Sequence, residues 1–109
     1  MLGAQGHLAA ARPLFERALA IREKTLGSEH PNTNRARYNL SRLLLTGHST
    51  EALTLGETAL TAHDKGLGRD HPWTKDSARV TAAALDALGR TEEAKALRER
   101  YGLTEPEER

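Results

Sequence analysis

Five histidines, His7, His30, His48, His63 and His71, are the side chains best suited to hold a metal or move a proton in this 109-residue chain. A helical metal pair needs two ligands four residues apart on one face, and no two of these histidines have that spacing. The chain has no cysteine, which excludes disulfides, thiolate metal sites and cysteine nucleophiles. It also lacks a Gly-x-x-x-x-Gly-Lys phosphate loop and a Gly-x-Ser-x-Gly elbow. Carboxylates such as Glu16, Glu23, Glu92 and Glu93 stand near arginines or lysines at helical spacing and read as surface ion pairs. No catalytic residue, cofactor or metal is therefore expected, and the chain reads as a protein without enzymatic activity.

The histidines instead follow a positional logic. His30 and His71 each come after an acid (Glu29, Asp70) and before a proline (Pro31, Pro72), an arrangement that caps and orients a helix start. His7 and His48 follow Gly6 and Gly47 and are expected in exposed turns. His63 comes late in its segment, where a helix dipole favours partial positive charge.

Those two His-Pro sites belong to a longer repeat. Residues 18–33 (ALAIREKTLGSEHPNT) recur as residues 59–74 (ALTAHDKGLGRDHPWT), 41 positions on. A second marker, Gly6 with Ala11, returns as Gly47 with Ala52 and as Gly89 with Ala94, at offsets of 41 and 42. A fixed period of this length is the mark of a stacked repeat architecture. Sixteen basic and 15 acidic side chains nearly cancel, so net charge gives no reason to expect nucleic acid or a membrane surface as partner. No apolar run approaches the ~20 residues of a transmembrane helix, and the first residues lack a secretory pattern, so a soluble, cytoplasmic protein is expected.

Between the markers, apolar residues recur at three- and four-residue steps: Leu8, Ala11, Phe15, Ala18, Leu19 and Leu26, then Ala52, Leu55, Ala59 and Ala62. Gly27, Gly47, Gly68, Gly89 and Gly102 supply stop signals. Five helices are predicted, over 7–26, 31–46, 49–67, 72–88 and 91–101. Short connections between long helices make neighbours antiparallel, and repeated antiparallel pairs stack into an all-α solenoid. The organisation is one domain over residues 1–101: a half repeat at 1–27, repeats at 31–67 and 72–101, and a polar, frayed tail at 102–109. Phe15 is the bulky knob of its helix; its counterpart Gly56 marks a close backbone contact or, the favoured reading, a locally thin core. Trp73 opens its helix either as a partner-contacting anchor or as a cover over the turn after Leu67.

The blocks Ala18 to Thr33 and Ala59 to Thr74, with Gly47, Ala52, Gly89, Glu93 and Ala94, resemble the tetratricopeptide repeat in its long subtype, found in kinesin light chains and many bacterial proteins. The likeness covers about residues 6–101. It implies a right-handed α-solenoid of about two and a half repeats whose first helices line a concave groove for a partner's peptide or helical segment. By position, the resemblance puts Arg35, Tyr38, Asn39 and Arg42 on that surface in one repeat, and Asp76, Arg79, Val80 and Ala83 in the next. The family's Asn-Asn-Leu-Ala reads Tyr38-Asn39-Leu40-Ser41 here, then Arg79-Val80-Thr81-Ala82, so a backbone-gripping asparagine is retained once and lost once. The segment before Gly47 is one residue short of the usual spacing, so helix 31–46 should end early or tightly.

Residues 31–50 contain three arginines and no carboxylate, which suggests a groove that favours acidic peptides. The resemblance also implies that residues 1–27 hold only the second helix of a pair, with the stripe through Leu8, Ala11 and Phe15 unprotected. A piece of a longer array is expected, with a homodimer through this N-terminal helix as a by-product. The alternative function is a self-association module of a larger signalling or regulatory protein.

Overall fold

Each helix starts and stops where local chemistry dictates. The computed structural model describes residues 4–103, with the side chains of residues 6–103, and contains α1 (Ala4–Leu26), α2 (Pro31–Leu44), α3 (Ser49–Leu67), α4 (Pro72–Ala87) and α5 (Thr91–Arg100). Residues 104–109 of the expected tail lie outside the described residues. His30 and His71 cap α2 and α4: each Nδ1 accepts the N–H two residues on, from Asn32 and Trp73, at 3.0 Å. Both adopt extended backbone angles (ψ 139°), and the following proline has no N–H to satisfy. Gly27, Gly47, Gly68, Gly89 and Gly102 all have φ between 68° and 92°, the left-handed region that ends a helix at little cost only in glycine.

The ends of the elements refine the expected boundaries. The first helix begins at Ala4 rather than residue 7, which puts His7 inside a helix, exposed, and not in a turn. It runs through Pro13; both Pro13 and Ala9, whose carbonyl loses its partner, are exposed. The second helix stops at Leu44, and the Leu45 N–H closes it on Arg42 O three residues back, the tight ending expected from its shortened spacing. Gly102 and Leu103 are not frayed: the Leu103 N–H bonds Arg98 O at 2.7 Å, and Leu103 packs with Leu60, Ala78 and Tyr101.

The chain zigzags: α1 packs on α2, α2 on α3, α3 on α4 and α4 on α5, while α2 also touches α4 across the stack. This is an all-α helical-repeat arrangement of five helices among the described residues, each packed on the next. The main core joins Leu8, Leu40, Leu44, Leu53 and Leu85 through the buried alanines Ala52, Ala82, Ala84 and Ala94. Burying each such leucine contributes roughly 1.5–3 kcal/mol, and the alanines bring the helices close enough for that burial. Leu8 and Phe15 therefore face the core rather than an open end. The large apolar side chains left exposed on α1 are Leu14, Ile21 and Leu26.

Gly56 is buried, and a Cβ there would stand 2.7 Å from Thr81 Oγ1 and 3.3 Å from Ser41 Oγ. The thin-core reading is thus wrong; the glycine is a close contact at which α3 meets both α2 and α4. Tyr101 closes the other end. Its hydroxyl donates to Asp64 Oδ2 at 2.5 Å and Lys75 Nζ donates to its carbonyl at 3.0 Å. Burial, then the neighbouring Asp64 carboxylate, pushes the Tyr101 phenol up to about 12.

Candidate binding groove

The groove expected from repeat position takes its side chains from α2 and α4, and their common feature is a ladder of charge across one repeat. Arg35 Nη1 meets Asp76 Oδ2 at 2.9 Å, and these residues occupy equivalent places in successive repeats, 41 positions apart. Arg79 holds the other carboxylate oxygen of Asp76 at 3.1 Å. The Arg35 guanidinium also lies 4.4 Å from the Tyr38 ring centroid and 5.1 Å from that of Trp73, and Arg42 approaches Tyr38 from its other neighbour position at 5.5 Å. Each such stacking is worth ~0.5–1 kcal/mol where partly exposed. Tyr38 and Val80, expected on the surface, are instead buried and pack with Ala59 of α3, whereas Arg42 and Arg79 are exposed and Asn39 and Ala83 half-buried.

The three arginines of residues 31–50 therefore have three different jobs. Arg37 is buried; it donates to Ser28 O at 2.8 Å and to Asn34 Oδ1 at 2.6 Å, and pairs with Glu23 at 2.9 Å. It clamps the α1–α2 connection together with Asn34, whose amide donates to Ser28 O and His30 O. Arg35 is engaged with Asp76, and Arg42 keeps its guanidinium exposed. A count of arginines along the chain overstated the free positive charge of this face.

His63 overturns its expectation most clearly. It is fully buried, with Nδ1 2.9 Å from Ser77 Oγ and Nε2 3.1 Å from Pro31 O. A carbonyl only accepts, so Nε2 carries the proton and Nδ1 accepts from the serine, which satisfies a neutral imidazole. Burial, the largest cause, holds its pKa below the usual 6.5, and the nearby Arg35 and His71 act in the same direction. This histidine joins α2, α3 and α4 and has no role at the helix end. Its signal in the sequence was joint change: where the first repeat has Arg22 and Ala36, the second has His63 and Ser77. Trp73 covers the pair, its ring centroid 5.9 Å from those of both His63 and His71, while lining a cleft with Arg22, Asn32, Arg35 and Asn39.

On the other side, a cleft of about 440 Å³ between α1 and α3 is floored by Leu19, Leu40, Leu44 and Leu55. Its rim charges are already matched: Arg12 bridges Glu16 at 2.9 Å and Glu51 at 2.5 Å. The Arg12 hydrogen bond holds the Glu51 carboxyl below its ordinary range. Arg90 likewise pairs with Glu93 at 2.8 Å, as the helical spacing of these charges implied.

Among the described residues no helix is long and apolar enough to cross a membrane, and no three potential ligands converge as a metal site. The family model for the tetratricopeptide repeat matches residues 1–65. No curated protein matches the chain. Proteins built from this repeat generally serve as protein–protein interaction modules. The 41-residue period, the zigzag of helices and the match over more than half its length together place this chain in the tetratricopeptide-repeat family.

Proposed function

We propose that the protein is a scaffold of the kinesin-light-chain-like subtype, that its inner face, formed by α2 and α4, binds a partner's peptide or helical segment, and that this face prefers acidic sequences. The observation that carries this reading is the charge arrangement around Asp76. The one carboxylate among the groove residues is bracketed by Arg35 and Arg79, and Arg42 extends beyond it. The face therefore carries a net positive strip. A ligand carboxylate can take the outward N–H groups of Arg42 and Arg79, while Asn39 and Ala83 leave room for its backbone. Each exposed pair contributes only ~0.2–1 kcal/mol, so several must act together to reach the ~8 kcal/mol of micromolar binding.

The variant that tests this is Arg42→Glu/Arg79→Glu, because both side chains are exposed; Arg35 is avoided, since it also ties successive repeats together. Titrating fluorescent acidic and basic peptide pools by anisotropy should show a preference for acidic peptides that the variant reverses. Identical selectivity in variant and parent would sink the acidic preference. Self-association is the second reading. It is favoured by Leu14 and Ile21, both more than half exposed on one face of α1, and by the same logic it predicts a concentration-dependent mass.

A further inference from the structure

The cleft between α1 and α3 recurs one repeat later between α3 and α5, again with a volume of about 440 Å³. Leu19, Leu44 and Leu55 of the first have Leu60, Leu85 and Leu97 as counterparts in the second, at offsets of 41 or 42. The rim carboxylates Glu16 and Glu51 likewise return as Glu57 and Glu93. The first cleft stays open with α4 and α5 following it, and the second with α1 and α2 preceding it. The opening therefore belongs to the interior of the stack and to neither end of the chain.

The two copies differ in how their rim carboxylates are satisfied. In the first, Arg12 joins Glu16 of its own helix to Glu51 of α3 across the cleft. The counterpart of Arg12 is Leu53, which is buried in the main core, so no equivalent arginine joins Glu57 to Glu93. Arg90 directs its Nε and Nη2 to the two oxygens of Glu93 and meets Glu57 only through its longer-range field. Glu57 is exposed and takes part in no ion pair among the described residues. The first repeat thus displays what this pair of carboxylates holds over a leucine floor, namely a guanidinium.

We propose that the cleft between α3 and α5 docks an extended segment of a partner protein in which a basic, an apolar and an acidic residue alternate with residues facing away. The basic side chain takes the place that Arg12 has in the first cleft, between Glu57 and Glu93. The apolar one rests on Leu60, Leu85 and Leu97. The acidic one meets Arg100, which lines the cleft seven residues beyond Glu93 on α5, or ~10 Å along the helix. Alternate residues of an extended chain share a face at a spacing of ~6.6 Å, so the three span ~13 Å and match that length. A helix, ~10–12 Å across with its side chains, is too wide for the cleft.

This surface is separate from the inner face, and the two proposals can fail independently. The probe is a short synthetic peptide containing Arg-x-Leu-x-Glu, titrated by NMR into the isotope-labelled full chain. One control peptide has glutamate in place of the arginine; another has one residue inserted between arginine and leucine, which turns them to opposite faces. The first peptide should move the amide signals of Glu57, Leu60, Thr61 and Leu97 with a Kd of ~0.1–1 mM, as a few exposed contacts allow, and both controls should bind at least about fivefold more weakly. Glu57→Gln should weaken binding about fivefold, and Ala96→Trp, at an exposed rim position, should abolish it. Glu16→Gln, whose carboxylate belongs to the first cleft, should leave it unchanged, as should Arg42→Glu/Arg79→Glu on the inner face. Equal binding of either control, shifts confined to other helices, or full affinity in Glu57→Gln would overturn the proposal. So would shifts at the same amides that grow with protein concentration in the absence of peptide, because a second copy would then occupy the cleft.

Discussion

Replacing Gly56 by alanine separates two descriptions of the middle of α3. In isolation the change favours the helix by ~1 kcal/mol, because alanine loses less backbone freedom than glycine on folding. A thin core would add the benefit of an extra buried methyl. In the observed packing the new Cβ would stand 2.7 Å from Thr81 Oγ1 and 3.4 Å from Thr81 Cα. The hydroxyl is not free to swing away, because Thr81 is buried and donates to Ser77 O at 2.7 Å. Ser41 Oγ, 3.3 Å away on the other side, is held by its bond to Ala52 O at 2.6 Å. Overpacking a tight site costs ~1–3 kcal/mol, so the net expectation is a loss of about 1 kcal/mol. Gly66, in the same helix, supplies the control. A Cβ there meets nothing within 4 Å, so Gly66→Ala should stabilise by ~0.5–1 kcal/mol. Adding Thr81→Ala to Gly56→Ala removes the colliding hydroxyl and should recover ~1–2 kcal/mol beyond additivity. Urea unfolding followed by helical dichroism and by the single tryptophan, Trp73, measures these three variants and the Thr81→Ala single that closes the cycle, provided the slope with denaturant stays constant. If Gly56→Ala stabilises as much as Gly66→Ala, or shows no coupling to Thr81, the close-contact description is wrong.

Two further expectations concern pH. His63 is harder to protonate folded than unfolded, so its contribution is complete above about pH 6.5 and is lost as acid protonates the unfolded chain first and then passes the folded value. The urea midpoint should fall between pH 7.5 and 5.5, and His63→Gln should flatten that decline; an equal slope in the variant would refute the assignment. Tyr101 has the opposite sign: its stabilisation is complete below pH 10 and lost as pH rises through about 12. Absorbance at 295 nm should show one late-titrating phenol that disappears in Tyr101→Phe, and that variant should lose ~1.5–3 kcal/mol at neutral pH with the bond to Asp64. A Tyr101→Phe protein as stable as the parent would show the bond to be without weight.

What the linear chain determines is whatever repeats or acts within a few residues. The 41-residue period, the His-Pro helix starts and the glycine stops are all local, since a cap bonds an N–H two residues away and a left-handed residue needs only its own backbone. The expectation that Arg35, Tyr38, Asn39, Arg42, Asp76, Arg79 and Ala83 share one face rests on the same regularity. What tertiary structure decided is how each repeat departs from its copy. Whether Gly56 is a gap or a contact depends on Thr81 and Ser41, which approach it from two other helices. Whether His63 is charged or neutral depends on its burial between other helices, where its ring nitrogens meet Ser77 and the Pro31 carbonyl, 14 and 32 positions away. Arg35 and Arg37 look alike in sequence, yet one reaches Asp76 in the next repeat and the other is buried against Ser28 and Glu23. Periodicity records which face of a helix is covered, but the covering atoms belong to other helices, and their identity decides whether a buried polar group is satisfied.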